Sequence, residues 1–207
     1  MSTDIHGGIE FRHPGVGTGH YDGEPWVAAM DLWPLYDQSD HAAFGHLFGV
    51  RNHAGFPPLT PDRGLPADLS SGMRSMLESE VGAGSLWGAS WVSWAELAAM
   101  DLATAPDHVV GRLTWRTTSR PSSLNQQLVS EPWPPAVRSA VGEPPADLHG
   151  AKGRVEWTNG ELRCTYEWLT IPAVVGPDTH WPHVFAVMKA LAGRFGDDGV
   201  RLVVAFD

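Results

Sequence analysis

Residues 154–171 read RVEWTNGELRCTYEWLTI, two stretches of alternating polar and apolar side chains joined by Asn159-Gly160. A period of two sends one set of side chains to a buried face and the other toward solvent. An Asn-Gly pair accepts the positive φ that a two-residue hairpin turn demands. The stretch therefore predicts a β-hairpin, and with it an antiparallel sheet. The single cysteine, Cys164, falls in the second arm, where a buried and unreactive thiol is expected. One cysteine also excludes an intrachain disulfide and suits a reducing compartment.

Downstream, VRLVVAFD at 200–207 is β-branched and apolar, the pattern of a central strand. Between hairpin and strand, WPHVFAVMKALAGRFG (181–196) predicts a helix, with Pro182 in its first turn, Val184, Met188, Leu191 and Phe195 on one face, and Gly196 as its stop. Upstream, HVVGRLTWRTTSR (108–120) alternates as a strand. Residues 119–150 carry six prolines without a clear period and are expected mainly as loop.

The N-terminal half is more punctuated. Residues 4–12 and 26–33 read as strands joined by the glycine-rich HPGVGTGHYDGEP, with Pro34 ending the second. DQSDHAAFGHLFG (37–49) predicts a short helix capped by Ser39 or Asp40 and closed by Gly49, with Ala43, Phe44, Leu47 and Phe48 as its apolar stripe and His41 and His46 on its exposed side. A loop with four prolines follows over about 51–69, then a helix from Ser70 or Ser71 to Val81. Ser93-Trp94-Ala95-Glu96 is a capping box that predicts a helix to about Met100. Strands toward both termini, a hairpin between and several short helices packed on them define an α+β fold with a mainly antiparallel sheet, read as one domain over 1–207.

The net charge is −10, and the 14 basic residues form no run along the chain that would track phosphates, so nucleic acid is not an expected partner. Nor is a membrane: no stretch approaches the ~20 apolar residues of a span and no leader is visible, which predicts a cytoplasmic protein. Ten tryptophans fit an aromatic-lined pocket as well as an ordinary core.

Candidate chemistry begins at the N-terminus. Along an extended strand Asp4, His6 and Glu10 face the same way, with i and i+2 side chains ~6–7 Å apart. Asp4 and His6 are candidate ligands of one divalent metal ion; all three are candidate acid/base groups, the imidazole tuned by its carboxylate neighbour. The alternative is a solvated strand face with Ile5, Ile9 and Phe11 turned inward. A metallophosphoesterase would use Asp4-Ile5-His6-Gly7, Asp62-Arg63-Gly64 and Asn52-His53 for two metals, but that family places its D-R-G before its N-H, the reverse of the order here. In the long loop, Arg51, Asn52, His53, Asp62, Arg63 and Asp68 could grip an anion through paired guanidiniums or simply tie the loop together.

The chain also resembles a group of small proteins of actinobacteria and their phages. The match runs through Asp4, Ile5, His6, Glu10 and Arg12; Phe44 to Phe56; Arg63-Gly64-Leu65-Pro66 with Asp68 and Ser70; Ser90 to Leu97; and Val200 to Asp207. Members of that group often carry a Cys before the D-I-H, an aromatic residue at the position of His53 and a D-x-H-S ahead of the S-W segment, all of which this chain lacks. The resemblance implies no particular reaction, but it turns the N-terminal polar face and the R-N and R-G-L-P loops toward function. The expectation is thus a small intracellular enzyme using acid/base or metal-assisted chemistry on a small molecule. Asp4, His6 and Glu10 would be catalytic, and Arg12, Arg51, Asn52, His53 and Arg63 would bind substrate. A non-catalytic ligand- or partner-binding protein is the alternative.

Overall fold

The computed structural model describes residues 3–103, 110–119, 123–130, 132–146, 148 and 154–207. In chain order its strands are β1 (Ile5–Arg12), β2 (Trp26–Asp31), β3 (Trp87–Ser93), β4 (Val110–Thr117), β5 (Asn125–Ser130), β6 (Arg154–Asn159), β7 (Leu162–Trp168) and β8 (Val200–Phe206). The helices are α1 (His41–Phe48), α2 (Ser71–Ala83), α3 (Trp94–Ala98), α4 (Pro135–Val141), α5 (Ile171–Val175) and α6 (Trp181–Phe195). They form an α+β fold with two antiparallel four-stranded sheets, ordered β2-β1-β8-β3 and β5-β4-β7-β6.

The hairpin forms as its pattern predicts, with Asn159 paired to Leu162 across the turn and Gly160 at φ 58°. It does not join the terminal strands, however; it builds a second sheet with β4. That sheet has its own apolar face, where Leu113, Val129, Cys164 and Tyr166 meet Trp133 and the α4 residues Val137 and Val141. Arg112, Thr114 and Arg116 alternate with that face along β4 and point the other way. At one end, Val110 and Leu169 reach into the core of the first sheet.

In the first sheet β8 is internal, and all seven of its residues are buried. One face, with Ile5, Ile9, Leu202, Val204 and Phe206, packs on Phe44 and Leu47 of α1 and on Trp181, Val184 and Met188 of α6. The other, with Val203 and Ala205, packs on Met73 and Leu77 of α2. Two glycines let these layers close. A Cβ on Gly7 (φ +144°) would stand 2.0 Å from the Val203 carbonyl oxygen, and one on Gly8 would stand 2.6 Å from that of Met30 and 2.9 Å from Met73 Cε.

The predicted caps are present. Asp40 accepts from the amides of Ala42 and Ala43, and Gly49 closes α1 at φ 75°. Ser70 accepts from Met73 N at the start of α2, and both bonds of the Ser93/Glu96 box form, although α3 stops at Ala98. The structure adds to two expectations and corrects a third. Within 119–150, two elements form that the missing period hid: β5 is a polar strand held by its register on β4, and Pro135 stands at the start of α4, where a proline lacks nothing the helix needs. Strand β3 escaped the pattern because Gly88 interrupts its alternation, and its ladder with β8 is irregular between Trp87 and Ser90. His46 is not on an exposed side; it is 3% exposed, with Nε2 3.1 Å from Met100 Sδ. Among the described residues no helix is long and apolar enough to cross a membrane.

Candidate functional site

Strand β1 and the residue that precedes it set Asp4, His6 and Glu10 in two different places. Four residues of strand separate His6 from Glu10 by ~13 Å. At the near end, antiparallel pairing of Ile5 with Phe206 brings Asp207 beside the start of the strand. Its Oδ1 accepts from the Asp4 amide at 2.8 Å, and its Oδ2 lies 3.2 Å from His6 Nε2. The Asp4 carboxylate accepts instead from the Ser39 hydroxyl. The Asp4 amide, and to a smaller extent His6, hold the Asp207 carboxyl below its ordinary range against a weaker effect of burial. The His6–Asp207 pair opens on a cleft of about 470 Å³ that also holds Asp31, Glu80 and the indole of Trp33.

At the far end Glu10 is fully buried. It sits directly across from Arg201 in the β1–β8 register, accepting from Arg201 Nε at 2.8 Å and from the Ser70 amide at 2.9 Å. The same guanidinium donates to Asp68 Oδ1 at 2.8 Å and to the Asp68 carbonyl at 3.2 Å, and stacks 3.9 Å from the Trp26 ring centroid. Trp26 Nε1 closes the circuit on Asp68 Oδ2 at 2.8 Å. Burial pushes the Asp68 carboxyl up, but the donors from Arg201 and Trp26 outweigh it and hold it below the usual carboxylate value. The face bearing Glu10 is therefore not solvated there: the start of α2 and the loop before it cover it.

Beside this network lies a cleft of about 930 Å³ between Trp91 of β3, Arg63 of the long loop, and Arg201. Arg63 lies 4.6 Å over the Trp91 ring and forks onto both oxygens of Glu96, one bond at 3.0 Å. Glu96 also serves as the α3 capping carboxylate. Burial raises its pKa, but bonds from Arg63 and Ser93 bring it below the ordinary value. Both arginines of the cleft are thus matched by carboxylates and both lie on indole rings.

The other predicted binding residues lie elsewhere. Asn52 folds its own loop, donating to the Phe56 carbonyl at 2.7 Å and accepting from the Phe56 amide at 3.1 Å. Arg51, at φ 51°, donates to Thr3 Oγ1 at 3.3 Å and stands 5.3 Å from the Trp87 ring. His53 is exposed, its ring 6.4 Å from that of His41; burial, and then the charges of Arg51 and His53, lower the His41 pKa. Arg12 is exposed at the end of β1, and Asp62 on its loop. Of the predicted binding set, Arg63 alone lines the large cleft. Among the described residues no group of three or more His, Cys, Asp and Glu could hold a metal ion.

Sequence reasoning missed Arg201, Glu96 as a partner of Arg63, and Asp207. Arg201 did leave a signal: a lone charge inside a strand read as central must bury with a carboxylate, and Glu10 is the acidic residue inside the other terminal strand. Asp207 left none, since its role follows from register alone. Compared with protein families, with curated proteins and with solved structures, the chain matches none.

Proposed function

We propose that this protein binds a small molecule in the cleft beside Trp91. The supporting observation is the wall of Trp26, Arg201, Trp91 and Arg63, fixed by the Glu10–Arg201–Asp68 and Arg63–Glu96 bonds without help from a ligand. A preorganised aromatic wall spends little on ordering when a ligand arrives. With both guanidiniums matched, the cleft favours a planar, largely uncharged molecule over the anionic substrate expected of Arg63. The cytoplasm is the proposed compartment, consistent with the free, buried Cys164, and kinship with the actinobacterial and phage group belongs to the same proposal. The test is a thermal-shift and tryptophan-fluorescence screen of cytoplasmic metabolites. A hit whose binding survives intact in a folded Trp91→Ala variant would sink the cleft as the site.

A second reading is favoured by the His6–Asp207 pair: acid/base turnover of a small molecule at the smaller cleft. An imidazole beside an ionised carboxylate is a competent proton-transfer unit. A metal-assisted form would take Asp4 and His6 as donors. Metal analysis of the purified protein and of His6→Ala separates the forms: a divalent ion lost in the variant supports the metal, whereas none in either leaves proton transfer by His6 alone.

A further inference from the structure

The outward face of the second sheet holds a cluster that the chain order hides. Strand pairing sets Arg116 of β4 directly opposite Arg163 of β7, and Arg154 of β6 completes a trio around a depression of about 180 Å³. Thr114 and Thr165, also cross-strand partners, line the same depression. Like charges facing each other across an antiparallel pair destabilise it. Among the described residues one carboxylate bonds to this trio, and it reaches two of the three: Glu156 accepts from Arg154 at 2.6 Å and from Arg163 at 2.9 Å. Arg116 has no hydrogen-bond or ion-pair partner among the described residues. In a protein of net charge −10, this local surplus of positive charge stands out.

We propose that this depression is a binding site for a single phosphate group, free or as a phosphate monoester. Guanidinium forks match the oxygens of a tetrahedral dianion, and the threonine hydroxyls supply further donors. The depression, about 180 Å³, has room for a phosphoryl group. An extended polyanion fits poorly, because Glu156 and Glu167 share the outward face and the whole chain repels it. The bound anion neutralises the Arg116–Arg163 pair, which explains why the sheet carries it.

The test is calorimetric titration of the full chain with inorganic phosphate, phenyl phosphate and a short single-stranded oligonucleotide, at low ionic strength. Saturable binding of the first two is expected, weakened at least tenfold in Arg116→Gln, with no tighter binding of the oligonucleotide. Phosphate should raise the melting temperature of the wild type and not of Arg116→Gln. In phosphate-free buffer that variant should melt at or above the wild-type temperature, an outcome a purely structural arginine would not give. Thr165→Val, which keeps the strand shape, should weaken binding a few-fold. Absence of saturable phosphate binding, or an unchanged affinity in folded Arg116→Gln, overturns the proposal. Preferential binding of the oligonucleotide overturns the monoester assignment.

Discussion

The two sheets handle charge in opposite ways. In the first, Glu10 and Arg201 are buried inside the strands and satisfied by each other, by Asp68 and by the Ser70 amide. In the second, Arg116, Arg154 and Arg163 crowd the outward face, with Glu156 shared by Arg154 and Arg163 alone. Burial accounts for the difference. A charge without water must find its counter-charge within the fold, because leaving it unpaired costs several kcal/mol. A charge at the surface can leave its match to solvent or to a ligand. An internal strand with a matched pair is thus read as architecture, and an unmatched surface cluster as a place where something binds.

Breaking the buried network should give the largest effect. Arg201→Met leaves Glu10 buried and unpaired and is expected to lose ~3–5 kcal/mol of stability by urea denaturation. Pairing it with Glu10→Leu should restore most of that loss, since an apolar pair of similar volume tolerates burial better than half an ion pair. A single-variant loss near zero would contradict the contrast between the sheets. Next in size is the half-exposed capping box, where Ser93→Ala should cost about 1 kcal/mol.

A smaller effect lies in acid. The Asp68 and Glu96 carboxyls titrate below their ordinary values of 3.8 and 4.5 in the folded protein, so as pH falls the unfolded chain takes up protons first. Their contribution is complete above those ordinary values and is lost as pH falls through the folded ones. Asp68→Asn should flatten the acid limb of a stability–pH curve measured by denaturant midpoint. The smallest change belongs to the second sheet: Glu156→Gln should leave the denaturation midpoint where it is, because exposed pairs contribute little.

Local pattern reached far in this chain and then stopped at register. The Asn159-Gly160 hairpin, the apolar β8, the Pro182 helix and the Ser93/Glu96 cap were all legible because each rests on residues a few positions apart. β3 and β5 were not, since neighbouring strands form them more than their own periodicity does. The same limit shaped the site. Asp4, His6 and Glu10 share a strand parity, but whether that parity meets water, α2 or a guanidinium depends on β8, which lies almost 200 positions away. The opposition of Arg116 and Arg163 is invisible for the same reason: both stand in ordinary alternating strands, and the β4–β7 pairing alone makes them neighbours.

The first sheet joins, at its centre, the two strands most remote along the chain: Ile5 pairs with Phe206. Its ordering therefore requires closing a loop that contains nearly every other element, an entropic toll that rises with chain length. High contact order of this kind slows folding. Apolar truncations along the late-forming β1–β8 seam, such as Leu202→Ala, should accordingly speed unfolding and leave refolding nearly unchanged in stopped-flow experiments. Truncations in the β6–β7 hairpin, whose partners are close in sequence and pair early, should act mainly on refolding. The site-bearing strand would then be the last part of the molecule to become committed to its place.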